Sequence, residues 1–407
     1  MIGFDSLDVW RGTWFTFGPQ NRLNFFLRFK KPKPLSSRSK VKADSVPEGT
    51  LTQAELVRRA NEIFETQAIE ESQRVSKFGK IKPIITAENW GKRLVAVGGV
   101  LYSGNWKYFA DFLDAFLQAR FGGDWTEAQT KLDPIEKHPL TLWRTRALIY
   151  AKKALMGAPQ DKGVLPNGSM AAYFGFAYDL YVVDHNNNLD DRLLQRLKNR
   201  EQFQGARHEL FAEATCLRAG FTVAHEDATD PSRRHVEFIA TDPQSGIRLA
   251  VEAKSRHRPG VIAQFGAPEA EDQADFKFSR LVNDAIAKQS TLPLAIFVDT
   301  NLPPRRARNF FGEPAPKPVA TRYLKAIIEG FRKRNGGHDP YNLLVFTNFP
   351  HHYGRDDERD PRRDWIAHIA QAPVLTVPNP DVLLRLATAA ELYGVVPNTF
   401  PIPNAVT

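Results

Sequence analysis

Cysteine is almost absent from this chain, with one residue, Cys216, in 407. An intrachain disulfide is therefore excluded, and so is a zinc site built from several thiolates. Long apolar runs are missing too. Stretches such as Leu294 to Val298 fall far short of the roughly 20 residues that a membrane-spanning helix needs, so no membrane is expected. There is no phosphate loop of the G-x-x-x-x-G-K-[ST] kind, no G-x-S-x-G elbow and no H-E-x-x-H pair. The first 30 residues carry Asp5, Asp8 and Arg11 and no uninterrupted apolar core, so a cleaved signal peptide is not expected and a cytoplasmic location is. What is present is ordinary globular material, 42% hydrophobic and 25% charged, which excludes a fibrous repeat or wholesale disorder.

The net charge of +9 suggests a polyanionic partner, but its placement weakens that reading. Residues 1–44 hold nine lysines and arginines against three aspartates, leaving only +3 for the remainder. A basic tail attracts anions by steering and counterion release without making the folded body a nucleic-acid binder.

Three segments follow from composition and periodicity. Residues 1–49 form an aromatic, then basic and Pro/Ser-rich N-terminal segment and linker. Residues 50–198 read as a mostly helical domain of unknown role. Thr52 and Glu55 make a capping box for a helix over 54–66. Residues 93–103 read as a strand interrupted at Gly98 and Gly99, and amphipathic helices follow over 106–121, 141–155 and 170–183. Most tryptophans precede residue 145, and in helices such a cluster is core material. Residues 199–407 alternate helices with apolar strands, the pattern of an α/β sheet flanked by helices.

The chemistry concentrates between Gly205 and Gly260. Asp242 to Gly246 form a turn, so the strands on either side pair as a hairpin. On the second strand Glu252 and Lys254, two residues apart, share a face. If the turn pairs Thr241 with Ile247, Glu237 lies opposite Val251, and a one-residue bulge brings it beside Glu252. On the preceding helix Glu209 and Glu213 flank an apolar stripe that includes Ala206, Leu210 and Leu217. Acids and a lysine at a sheet's end are what metal-dependent phosphodiester cleavage requires. The plainer alternative is a charge pair on an edge strand. The near-continuous apolar run from Leu249 argues instead for a strand buried on both faces, where unpaired charge is costly.

This ordered set of helix, strand, turn and strand resembles the PD-(D/E)xK nuclease superfamily over about residues 201–300. The resemblance implies a restriction-endonuclease-like mixed sheet flanked by helices, here preceded by the mostly helical domain. It matches Glu252 and Lys254 to the (D/E)xK pair, Glu237 to the earlier acid and Glu209 to the helical acid. It implies Mg²⁺ or Mn²⁺ on Glu237, Glu252 and Glu209, a water positioned by Lys254, and nucleic acid as substrate, DNA before RNA. Restriction, defence or repair are the roles it implies, and a homodimer would suit double-strand cutting. The chain reads His235-Val236-Glu237 where the family most often has Pro-Asp. That departure favours a second reading, an inactive nuclease fold that binds nucleic acid or a protein.

Downstream, Arg256, His257 and Arg258 form a basic loop placed for phosphate contacts, and Lys277 and Lys288 on a helix expected over 274–289 are further candidates. An echo follows two apolar strands, Thr300-Asn301-Leu302-Pro303 and Thr347-Asn348-Phe349-Pro350, each leading into cationic or imidazole side chains. Asn-x-Pro is good turn chemistry, which accounts for the repeat without a shared site. His351 and His352 lack an identifiable third ligand for a metal.

Overall fold

The computed structural model describes residues 53–156, 164–225, 235–262, 266–267, 278–288, 290–302, 319–353 and 364–401. Backbone contacts separate one unit, ending at Lys77, from the residues that begin at Phe78. The described part of the first unit is helix α1, Gln53–Phe78 in full extent. It is longer than the expected 54–66, and Thr52, its expected cap, lies outside the described residues. Val57, Ile63, Phe64 and Ile69 on it are exposed.

The second unit opens with an antiparallel meander of β1 (Ile85–Asn89), β2 (Lys92–Val97) and β3 (Val100–Gly104). The single strand expected over 93–103 is thus a hairpin. Gly98 and Gly99, at φ of 53° and 84°, supply the two left-handed positions that a two-residue hairpin turn demands. Helices α2 (Phe109–Phe121), α3 (Gly123–Thr130), α4 (Pro139–Leu155), α5 (Gly168–Asn187), α6 (Asp191–Lys198) and α7 (Phe203–Arg218) follow. Helix α5 is apolar on all sides, with residues Gly168 to His185 almost all buried, so it sits inside the unit rather than on it. It touches α2, α4 and α7. The expected boundary near residue 198 therefore falls within one continuous hydrophobic core that runs from Phe112 and Tyr181 through Phe203 to Val251 and Phe297.

The main sheet has the order β4 (Thr222–His225), β5 (Phe238–Thr241), β6 (Arg248–Ser255), β7 (Leu294–Asp299), β8 (Leu343–Asn348), β9 (Asp364–Ile369). The pairs β6–β7 and β7–β8 are parallel and the rest antiparallel. Parallel neighbours need a crossover, and α8 (Ser279–Ile286) and α9 (Val319–Arg334) lie in those connections. Phe278, Val282, Ile328 and Phe331 cover one face of the sheet with Ile296 and Phe346. Phe211 and Leu217 of α7, with Leu386 of α10 (Asp381–Ala389), cover the other face with Val251, Phe297 and Val345. Strands β7 and β8 are in consequence buried along their whole length. The α/β expectation holds, as a six-stranded mixed sheet flanked by helices. No helix among the described residues is long and apolar enough to cross a membrane.

Candidate functional site

Strand β6 lies third in the sheet, between β5 and β7, so its charges are not edge charges. The Asp242 turn closes with its carboxylate accepting from the Ser245 amide and hydroxyl, and Gly246 takes the left-handed position at φ 70°. Thr241 pairs with Arg248, one step from the pairing with Ile247 expected from the turn. The register sets Phe238 opposite Val251, yet the Glu237 amide also donates to the Val251 carbonyl at 3.1 Å. Continued one step, that register sets Glu237 opposite Glu252 on one face of the sheet, and the offset amide bond marks a β-bulge where the regular ladder ends.

Lys254 joins the two acids. Its Nζ lies 2.7 Å from Glu252 Oε2 and 3.6 Å from Glu237 Oε1. A second ammonium, Lys288 Nζ, lies 2.7 Å from Glu252 Oε1 and donates to the His235 carbonyl. Glu252 is fully buried. Burial pushes its carboxyl above the ordinary value, with the Glu237 charge adding to the rise and the two lysines opposing it. For Lys254 burial disfavours the charge, but Glu252 and Glu237 together outweigh it and hold the ammonium above its usual pKa.

Glu209, on the second turn of α7, is buried and paired with Arg196 Nη1 at 2.6 Å. Its carboxyl is pushed up to about 7, first by burial and then by the charge of Glu237, which places the two acids within electrostatic reach. Glu213 does not join them. It accepts from Asn187 Nδ2 at 2.8 Å and pairs with His225 Nε2 at 3.1 Å, and that bond raises the imidazole's pKa.

The candidate phosphate contacts divide. His257 is exposed and Arg256 half-buried, whereas Arg258 is buried, its Nε donating to the Thr300 carbonyl at 3.0 Å. Arg258 therefore holds the loop from within instead of facing a phosphate. Lys288 is turned onto Glu252, a correction to its expected place on a nucleic-acid face. Lys277 lies outside the described residues, as do Arg305, Arg306 and Arg308. His351 and His352 are buried, and each has Nε2 3.2 Å from the Tyr393 hydroxyl, so they belong to the core. The repeated Asn-x-Pro loops knit to each other: Thr300 donates to the Thr347 carbonyl, and Asn348 Oδ1 accepts from the Leu302 amide.

The sequence reading missed a buried polar group beside the site. Arg207 of α7 pairs with Asp299 at the end of β7, both almost wholly buried. A charged residue inside the apolar stretch of α7, and an acid ending an otherwise apolar strand, were the available signals. Among the described residues no group of three or more His, Cys, Asp or Glu side chains forms a metal cluster. What the fold does gather is a pair of hard carboxylates aimed at one cationic group. Mg²⁺ is commonly held by one or two carboxylates with substrate phosphate completing its shell, so this donor set fits it.

Compared with known protein families, curated proteins and solved structures, the chain matches none.

Proposed function

We propose that this protein is a nuclease of the restriction-endonuclease-like kind that hydrolyses phosphodiester bonds, of DNA before RNA, with Mg²⁺ or Mn²⁺. The observation that carries the reading is Lys254 bridging Glu252 and Glu237 across a bulged hairpin inside a mixed sheet. Glu252 and Glu237 would hold the cation, and Glu209 would act beside them, directly or through water. When bound, a divalent cation polarises the scissile phosphate and lowers the pKa of a water. Lys254 is placed to orient that water and to offset charge developing on the phosphate. Exposed His257 and half-buried Arg256 lie just beyond the strand, where the backbone of a bound strand would pass.

A second reading has its own support. With Lys254 and Lys288 both 2.7 Å from Glu252, the acid is already compensated without a metal, as in a scaffold that binds nucleic acid or protein but does not cut. Cleavage separates the two. Supercoiled plasmid and single-stranded DNA are incubated with the protein or its Lys254→Ala variant, in Mg²⁺, Mn²⁺ or EDTA. Metal-dependent cutting that the substitution abolishes supports the nuclease. Absence of cutting, together with no Mn²⁺-dependent rise in thermal stability, supports the scaffold.

A further inference from the structure

The chain immediately after Lys254 is gripped from two sides by a matched pair of amides. Gln204, in the first turn of α7, donates from Nε2 to Ser255 Oγ at 3.1 Å and to the Arg256 carbonyl at 2.6 Å. Asn301, two residues past β7, donates from Nδ2 to the same two acceptors at 3.1 and 2.8 Å. A carboxamide nitrogen has two hydrogens, and each of these uses one on the hydroxyl and one on the carbonyl. The Ser255 hydroxyl has one hydrogen left, and Asp299 Oδ2 lies 3.4 Å away to receive it. The Arg256 amide donates to the Asp299 carbonyl at 2.9 Å, and Arg207 of α7 pairs with the Asp299 carboxylate. Both lone pairs of the Arg256 carbonyl and both of the Ser255 oxygen are thereby filled. A shift of the strand end by about 1 Å would break all four amide bonds together.

Buried polar groups of this kind are costly unless satisfied, and an apolar filling would hold the sheet to the helix equally well. What the amides provide is register. Gln204 and Arg207 stand on α7 just ahead of Glu209; the partners of Gln204, Ser255 and Arg256, follow directly on Lys254, and the partner of Arg207, Asp299, ends the neighbouring β7. Asn301 adopts φ 44°, a left-handed backbone that asparagine tolerates better than most residues, to bring its amide round to the strand end.

We infer that Gln204 and Asn301 are positioning residues, which set the helical acid Glu209 in register with the Glu252–Lys254 strand end. The inference rests on the nuclease reading above, and it concerns geometry at that site, since neither amide touches the proposed cation or the phosphate.

The test uses the full chain and the variants Gln204→Met, Asn301→Gly and their combination. Gln204→Met keeps the volume and removes the donors, while Asn301→Gly keeps the left-handed backbone. Plasmid nicking at varied plasmid concentration gives kcat and KM, Mn²⁺ titration gives cation affinity, and urea unfolding gives stability. A comparison variant, Arg332→Ala, breaks the ion pair to Asp339 beyond the other end of β8. Misplacement of catalytic groups by about 1 Å costs on the order of 100-fold in rate. Each single substitution is expected to lower kcat about tenfold, and the double about 100-fold, with KM within about threefold and Mn²⁺ bound about tenfold more weakly. Arg332→Ala should keep wild-type kcat whatever its urea midpoint. Wild-type kcat and Mn²⁺ affinity in both single variants would overturn the inference while leaving the nuclease intact. So would rate losses that follow only the fraction unfolded. If the unaltered chain neither binds Mn²⁺ nor nicks plasmid, the nuclease reading fails first and the positioning role falls with it. The single variants decide the matter should the double fail to fold.

Discussion

Replacing Lys254 with alanine should damage the fold as well as any chemistry, and by an amount that depends on pH. Glu252 is fully buried and faces two ammonium groups, each at 2.7 Å. Removing one partner of a buried ion pair costs about 3–5 kcal/mol when the other is left uncompensated. Here Lys288 remains, and the Lys254 side chain is 21% exposed, so the expected loss is smaller, about 2–3 kcal/mol. Burial already raises the Glu252 carboxyl, and losing Lys254 takes away a group that opposes that rise. The folded variant therefore holds a proton on Glu252 to higher pH than the unfolded chain does. A group with a raised folded-state pKa loses its contribution as pH climbs from the unfolded value through the folded one. The deficit should be larger at pH 8 than at pH 5.5, because lowering the pH favours protonation of the variant's raised carboxyl. Urea midpoints of both proteins in EDTA at the two pH values measure it. Equal midpoints at pH 8 would mean that Lys254 does not compensate Glu252, and the bridge on which the site is built would be refuted.

Three further outcomes follow from the structure. Arg207→Met, which strands the buried Asp299 carboxylate, should cost about 3–5 kcal/mol, while Arg207→Met with Asp299→Leu should recover most of the loss, read as a double-mutant cycle by urea unfolding. Glu209, raised to about 7 in the fold, should make stability fall as pH rises from about 4.5 to 7; Glu209→Gln should flatten that slope, and an unchanged profile would remove Glu209 from the acid group. Gly79→Ala should destabilise by about 2–4 kcal/mol in thermal or urea unfolding, because φ is 84° and a Cβ would stand 2.6 Å from the Arg218 carbonyl oxygen.

How far the sequence could be read depended on the range of the interaction. Strands β4 to β8 of the main sheet were legible because each is a short apolar run bounded by turn residues, and the two parallel crossovers leave room for little except helices, whereas β9, which mixes Asp364 and His368 with its apolar residues, was missed. Glu252 and Lys254 were legible because period two fixes a shared face whatever the register. The register itself was not. The Asp242 turn closes one residue differently from the simplest pairing, and that one-step shift carries Glu237 from a place opposite Val251 to one opposite Glu252. Lys288 was read as surface because a lysine on an amphipathic helix usually is; its turn onto Glu252 is a tertiary contact between residues 36 positions apart. The hairpin at Gly98–Gly99 was read as an interruption because two glycines weaken a strand and make a turn equally well, and only the partner β1 decides between them. The boundary at residue 198 followed composition, but α5 is apolar all round, and such a helix needs cover on every side. That cover includes α7, which carries Glu209, so the helical half supports the site's helix directly.

Charge balance at the site ties the two functional readings to one quantity. Glu237, Glu252, Lys254 and Lys288 sum to zero, and Glu209 is offset by Arg196. A neutral buried set needs no cation for stability, which is why the fold alone is compatible with a scaffold. A divalent cation held by Glu237 and Glu252 would add two positive charges to that balanced set. It would be held more tightly where Lys254 swings away from the acids or where phosphate brings the compensating negative charge. If the protein is a nuclease, Mn²⁺ affinity should therefore rise when a non-cleavable phosphodiester oligonucleotide is present, and by linkage the oligonucleotide should bind more tightly in Mn²⁺ than in EDTA. In the Lys254→Ala variant the set carries a net negative charge, and Mn²⁺ should bind without the oligonucleotide. Titrations of Mn²⁺ into both proteins, with and without the oligonucleotide, measure this coupling. Equal Mn²⁺ affinity in all four would show that Glu237 and Glu252 do not hold the cation.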